Sequence, residues 1–286
     1  MACANVTHTH HRKTNVPLVH GAKLANYLRP MRVVSLVPSW TEFLHDLSVD
    51  VVGQTKFCVR PPEAFRRVPR VGGTKTADVE AILALKPDLV VANLEENDRE
   101  QVEVLQKALP SSAEVWVSDV RTVRQAWQSM EELGQRVERS HEAQRMTQAI
   151  QEYWGEPKSL VAEAGYAVWR APWMVAGHDT FIHDVMRWWG IGNAVAPDLP
   201  GRYPTLAQED VNGLRSADTW LLPSEPFPFA DKHLARYREC QPDARMILVD
   251  GEAFSWYGSR MAHAHRHLND VREALRTSPT CCQEGT

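Results

Sequence analysis

No uninterrupted apolar run in this chain approaches the roughly 18 residues that a membrane-spanning helix needs. A Gly-rich phosphate loop, a His-Glu-x-x-His pair and a Gly-x-Ser-x-Gly turn are also missing. The commonest signatures of nucleotide binding, zinc proteolysis and serine hydrolysis are therefore absent. Cysteine is scarce: Cys3, Cys58, Cys240, Cys281 and Cys282 have neither metal-ligand spacing nor an even disulfide framework. A reducing compartment is the simpler reading. Charge is nearly balanced, with a net value of −4 and a pI near 6.3, so nothing points to a sequence-independent nucleic-acid binder. The first thirty residues carry His8, His10, His11 and His20 but no apolar core of the kind a secretory signal has. They are expected to form a solvated tail, residues 1–31. The missing leader predicts a cytoplasmic protein, and a periplasmic one if the sequence is truncated.

What the chain has in quantity is tryptophan, ten in 286 residues. Several stand beside turn signals, where aromatics serve ligand surfaces; the rest fill cores. The order of elements is equally informative. Val33 to Val37 reads as a buried strand ended by Pro38, with Ser39 and Glu42 spaced as a capping box for the helix that follows. Val51 to Gln54 is a second strand, Val79 to Leu85 a helix, and Leu89 to Ala92 a strong strand. Asn97 and Glu100 are spaced to cap another helix before the strand Val115 to Val117. Strands alternating with helices predict a mostly parallel sheet covered on both faces.

From Val123 to Trp154 the rhythm changes. Apolar residues recur at three- and four-residue spacings through Val123, Ala126, Trp127, Met130, Leu133 and Val137, then after a polar gap at Met146 and Ile150. This predicts one backbone helix within residues 121–154, of about thirty residues and so about 45 Å long at about 1.5 Å per residue. A second α/β series follows: strand Tyr166 to Trp169, helix Asp179 to Trp189, a capping box at Thr205 and Gln208, then strands Trp220 to Leu222 and Met246 to Val249. The fold class is thus α/β, with two Rossmann-like lobes (32–120 and 155–275) joined by one long helix and followed by a tail, 276–286. The halves echo each other: Asp88 precedes an apolar strand with Glu95 seven positions on, and Asp218 precedes another with Glu225 seven positions on. Both glutamates are expected at carboxyl ends of parallel strands, where open α/β sheets bind ligands.

Several segments carry a resemblance. Arg32-Val-Val-Ser-Leu-Val-Pro-Ser, Thr41-Glu42, Val52-Gly53 and Leu85-Lys-Pro-Asp-Leu-Val-Val resemble the first lobe of the iron-siderophore and vitamin B12 periplasmic-binding family. Thr55-Lys-Phe-Cys-Val-Arg-Pro, Gly72-Gly-Thr-Lys, Ala92-Asn-Leu-Glu-Glu-Asn and Trp116-Val-Ser-Asp-Val continue it. So do Gly177-His-Asp-Thr-Phe-Ile, Pro223-Ser-Glu-Pro-Phe-Pro-Phe and Asp250-Gly-Glu-Ala-Phe-Ser-Trp-Tyr-Gly-Ser-Arg. Together they are similar to a cobalamin-binding-protein-like branch that often lacks a signal peptide. The resemblance implies a class III solute-binding protein, not an enzyme, holding a corrinoid or metal chelate between its lobes. It also implies docking to an ABC permease through Glu80 on one lobe and Glu209 or Asp210 on the other. Such residues in a helix's first turn equally complement its dipole.

The ligand-lining residues implied are Lys56, Phe57, Cys58, Lys75, Glu95, Glu96 and Asn97 from the first lobe. The second lobe supplies Trp173, His178, Tyr203, Glu225, Phe227, Phe229, Phe254, Trp256, Tyr257 and Arg260. Aromatic faces would cover a macrocycle while charged and amide groups meet its edge. Phe227 and Phe229 equally suit a loop anchor, and Cys58 a small buried hydrophobe. Cys58 and His178 are the residues that could ligate cobalt or iron, and Glu95, Glu96, Glu225 and Glu252 could hold a hard cation. No catalytic cofactor is expected. Two alternatives keep the fold: a cytosolic haem or metal-ion carrier, and an enzyme working through the Cys, His and Glu of the cleft.

Overall fold

The computed structural model describes residues 29–206, 219–234 and 244–277. Its first sheet contains β1 (Arg32–Ser35), β2 (Asp50–Gln54), β3 (Leu89–Asn93) and β4 (Glu114–Ser118) in the order β2-β1-β3-β4, all parallel. Every residue of β3 is buried, as a strand covered on both faces requires. Helices α1 (Pro38–Asp46), α2 (Pro62–Arg67), α3 (Val79–Ala84) and α4 (Arg99–Ala108) connect these strands. The strand order reverses between β1 and β3, so the loops at their carboxyl ends diverge to opposite faces and leave a crevice there.

Two expected helix starts differ. Pro38, with its fixed φ, occupies the first helical position of α1, so Ser39 and Glu42 lie inside the helix and form no capping box. Asp98 rather than Asn97 caps α4, accepting from Gln101 N at 3.0 Å, because the Asn97 amide is committed to three other backbone groups.

The connector departs from expectation as well. The helix anticipated over 121–154 is two helices, α5 (Val123–Arg136) and α6 (Ser140–Trp154). Helix α5 ends in a Schellman turn: Arg139 N–H donates to Gly134 O at 2.7 Å, Glu138 N–H donates to Gln135 O at 3.3 Å, and Glu138 takes φ 56°. The break falls in the polar gap after Val137. In a straight helix residues 134 and 143 would lie about 13.5 Å apart, yet a Cβ built on Gly134 would stand 2.2 Å from Ala143 Cβ. The chain therefore turns a sharp corner that only glycine at 134 allows. Trp127, Met130 and Leu133 are buried, as the spacing predicts.

The second sheet is mixed. β5 (Ala162–Arg170) runs parallel to β7 (Ile191–Asn193) and β9 (Thr219–Pro223), and β9 to β10 (Arg245–Val249). β6 (Trp173–Val175) and β8 (Thr205–Leu206) add an antiparallel edge. Thr205 thus belongs to a strand, and Gln208, its supposed capping partner, lies outside the described residues. The helices here include α7 (Phe181–Trp188), α8 (Gly251–Ser255) and α9 (Met261–Arg276), with a 3-10 turn at Gly258–Arg260. Most of Phe254 to Arg260 is helical rather than the loop expected, because Asp250 accepts from Glu252 N at 3.1 Å and caps α8.

One apolar core runs through both sheets. It takes in Val33, Trp40 and Trp116 from the first, Met130 and Ile150 from the connector, and Tyr166, Trp189, Phe254 and Leu268 from the second. Trp40, Trp154 and Trp189 are wholly buried, so several of the tryptophans serve packing.

Candidate functional site

The loops leaving β2 and β3 form one side of the site. Cys58 is wholly buried, with Sγ 3.0 Å from Thr41 Oγ1 and 3.2 Å from Thr55 Oγ1. Burial pushes its thiol pKa up, which favours the protonated thiol. Lys56 and Phe57 are exposed beside it, the ammonium 5.2 Å from the ring centre. After β3, Asn93 Oδ1 accepts from Glu95 N at 2.8 Å and Glu96 N at 3.2 Å, a side-chain turn that sets the loop. Asn97 accepts from Asn93 N and donates to Leu36 O and Thr74 O, so it shapes this loop. Lys75 Nζ donates to Glu95 O at 2.6 Å.

The loops leaving β9 and β10 form the other side. Glu225 Oε1 accepts from Trp256 Nε1 at 2.5 Å and Ser255 Oγ at 3.2 Å. Gly251 permits this approach, since a Cβ there would meet Glu225 Cγ at 2.7 Å. None of the three neighbouring aromatics is exposed: Phe254 packs on Tyr166 at 5.3 Å, Tyr257 on Trp40 at 4.6 Å, and Trp256 is 8% exposed. Trp40 belongs to α1, so Tyr257 closes the seam between the two sheets from inside. Phe227 and Phe229 pack with Trp173 and Trp220 in a separate apolar cluster. Trp169, 40% exposed, stands edge-on to Phe227 at 5.5 Å.

Ion pairs stitch the seam. Arg260 Nε donates to Glu42 Oε2 at 3.0 Å and also pairs with Glu252 at 3.5 Å, while Arg60 pairs with Glu252 at 3.0 Å. Burial keeps the Glu42 pKa raised even so, with Arg260 opposing the lift. Further along, Arg202 holds Glu95 at 2.9 Å, and the Tyr203 hydroxyl donates to the same carboxylate. Arg121 pairs with Asp119 at 2.8 Å and Asp179 at 2.7 Å. Arg260 and Tyr203, expected to meet a ligand, are thus bound to carboxylates of the opposite side.

Glu96 is different. The residue is partly exposed, but its carboxyl is enclosed, and burial pushes its pKa up to about 8. Glu95 and Glu225 add to the rise; Lys75 and Tyr257 oppose it. Burial likewise raises Glu225. The buried Tyr257 hydroxyl is directed at Glu96, Ser39 and Ser118 without completing a hydrogen bond, and Ser39 Oγ is also unpartnered. The expected four-glutamate cation site does not form. Glu95 and Glu252 are paired with arginines, and no three His, Cys, Asp or Glu among the described residues converge on a metal position.

His178 lines a different cavity, of about 460 Å³, with Lys158, Glu163, His183 and Arg187. Its Nε2 lies 2.7 Å from Val195 O, and its ring stands 4.5 Å from that of His183. Burial lowers the His183 pKa to about 4, with the neighbouring His178 and Arg187 assisting, so the imidazole stays neutral. Glu80 is exposed in the first turn of α3; Glu209 and Asp210 lie outside the described residues.

Sequence reasoning missed Leu94 and Val59, 54% and 42% exposed on the first-side loops, and Arg60, Arg202 and Trp169. Leu94 stood inside the segment already singled out, between Asn93 and Glu95. An apolar residue at the carboxyl end of a parallel strand was the signal that could have found it.

A protein family described as periplasmic binding protein matches residues 33–224. The vitamin B12-binding protein of Salmonella typhimurium is 31% identical over 188 residues, covering 63% of this chain and 68% of that protein. The fold is similar to the periplasmic vitamin B12 binding protein of Vibrio cholerae, with a TM-score of 0.66 and 18% identity, over 87% of this chain and 99% of the other. A periplasmic heme binding protein from Pseudomonas aeruginosa gives 0.68 and 18%, over 87% and 94%. These descriptions lend the expected cytoplasmic location no support. No helix among the described residues is long and apolar enough to cross a membrane.

Proposed function

The chain belongs to the periplasmic binding protein family, and from that premise we propose that it is a solute-binding protein for a corrinoid, with the ligand seated where the loops of its two sheets meet. The observation that carries this reading is the 31% identity to a vitamin B12-binding protein over 188 residues. The loop face supports it chemically. Exposed Phe57, Val59 and Leu94 offer apolar cover for a flat macrocycle, beside polar groups for its edge. Phe57, Glu96, Glu225 and Tyr257 are the residues proposed to meet the ligand; Cys58, Asn97, Phe227, Phe229 and Phe254 support them from behind. The role is binding without catalysis. Exposed Glu80 is proposed as a permease contact, with Glu209 or Asp210 as its counterpart.

A second reading, haem, is favoured by the fold likeness to the Pseudomonas protein. Calorimetric titration of the full chain with cobalamin, cobinamide and hemin decides between them. Saturable 1:1 binding of a corrinoid is the expected result. Binding of hemin alone assigns the haem reading, and a chain that ignores all three sinks both.

A further inference from the structure

Most cations on the loop face are already committed. Arg60 and Arg260 hold Glu252 and Glu42, Arg202 holds Glu95, and the Lys75 ammonium donates to the carbonyls of Glu95 and Asn97. Lys56 lies outward over the Phe57 ring. What remains at the seam is carboxyl and hydroxyl: Glu96 and Ser39 from the first side and Tyr257 from the second, with Glu225 close by but held by Trp256 and Ser255. Tyr257 is 4% exposed and Ser39 3%, and neither hydroxyl has a hydrogen-bond partner. Two buried hydroxyls left unpaired are costly, so they mark a place where a polar group from outside completes the bonding.

We propose that Glu96, Tyr257 and Ser39 form a subsite that grips a primary-amide edge of the ligand and rejects a carboxylate edge. The inference rests on the corrinoid reading above and adds to it the chemistry by which one tetrapyrrole is chosen over another. An amide brings two N–H donors and one carbonyl acceptor. The Glu96 oxygens and the two hydroxyls supply acceptors and donors to match. A carboxylate brings only acceptors and a negative charge, against Glu95, Glu96 and Glu225, while the nearby Lys75 ammonium is tethered to the Glu95 and Asn97 carbonyls. Corrinoids with amide side chains fit; porphyrins with two propionates do not.

Rejection depends on the charge of Glu96. Glu95 and Lys75 face it from the first side, Glu225 and Tyr257 from the second. Below its transition near pH 8 the carboxyl carries a proton and can donate to a carboxylate; above it, repulsion is complete. Selectivity for amide over acid therefore grows as pH rises.

The test titrates the full chain at pH 7 and pH 9 with an all-amide cobinamide and with the same corrinoid carrying free carboxylates. The carboxylate form is expected to bind about tenfold more weakly at pH 9, with a smaller gap at pH 7. Glu96→Gln removes the titrating carboxyl and should abolish the pH dependence of the gap between the two corrinoids. Tyr257→Phe keeps the ring packing on Trp40 and should weaken the amide ligand severalfold. Equal binding of both corrinoids at pH 9, or a gap that Glu96→Gln leaves unchanged, overturns the proposal while the corrinoid reading stands. If no corrinoid binds at either pH, the reading beneath it fails and the proposal goes with it.

Discussion

Arg260 reaches across 218 residues of sequence to Glu42, and the two side chains, 16% and 14% exposed, join the 3-10 turn of the second sheet to α1 of the first. Removing one partner leaves a shielded charge unpaired, which costs about 3–5 kcal/mol. Arg260→Ala should therefore be strongly destabilising by urea denaturation. Glu42→Gln combined with Arg260→Met should recover much of the loss, because no charge is stranded. An Arg260→Ala protein as stable as wild type would show that the pair contributes nothing.

Gly134→Ala sets two effects against each other. Alanine is a better helix former by about 1 kcal/mol. The added methyl, however, would sit 2.2 Å from Ala143 Cβ, and overpacking of this kind costs about 1–3 kcal/mol. A net loss is expected, and Ala143→Gly in the same chain should relieve it. If Gly134→Ala alone raises the melting temperature, α5 and α6 do not meet at the corner described.

Stability should carry the marks of Glu96 and His183 in opposite directions. The Glu96 pKa is raised from 4.5 to about 8 on folding, so the native state binds the extra proton. Its contribution is fully present below pH 4.5 and is lost as pH climbs toward 8. His183 is lowered from 6.5 to about 4, so its contribution is lost as pH falls through that interval. Melting temperatures measured from pH 4 to 9 should show Glu96→Gln gaining most on wild type at pH 8 and above. His183→Asn should instead flatten the profile between pH 4 and 6.5. A constant offset at every pH would refute the assigned ionisations.

Phe57 is 51% exposed and holds up no core. Phe57→Ala should leave the melting temperature unchanged yet weaken corrinoid binding by about three- to tenfold, which corresponds to about 0.5–1.5 kcal/mol for one stacked ring. Unchanged affinity in a calorimetric titration would move the macrocycle away from this loop.

Much of the fold was legible because its signals are local. β3 reads as an unbroken apolar run, and the three-four spacing through Leu133 marks α5. The corner at Glu138 was not. The apolar periodicity resumes beyond it, and a non-glycine residue in the left-handed region leaves no trace in composition. The site was legible at the level of loops and not of atoms. Glu95 and Glu225 were correctly put at carboxyl ends of parallel strands, but nothing local distinguishes Glu96, enclosed, from Glu95, held by Arg202. Arg202 lies more than a hundred positions away, and a pairing across that separation exists only once both sheets have formed. The aromatics near Phe254 misled for the same reason. Asp250 caps a helix there, and rotation about that helix carries Phe254 into the core.

The apolar core that passes without interruption from Val33 through Met130 to Leu268 has a thermodynamic consequence. Neither sheet can melt while the other keeps its packing, so heating should give one endotherm whose calorimetric and van't Hoff enthalpies agree. A fragment ending at Arg139 would leave Trp40, Trp116 and Met130 without the side chains that cover them, and should be recovered only as aggregate. The molecule is two sheets in topology and a single substance in its energetics, which makes each half a condition for the other's existence.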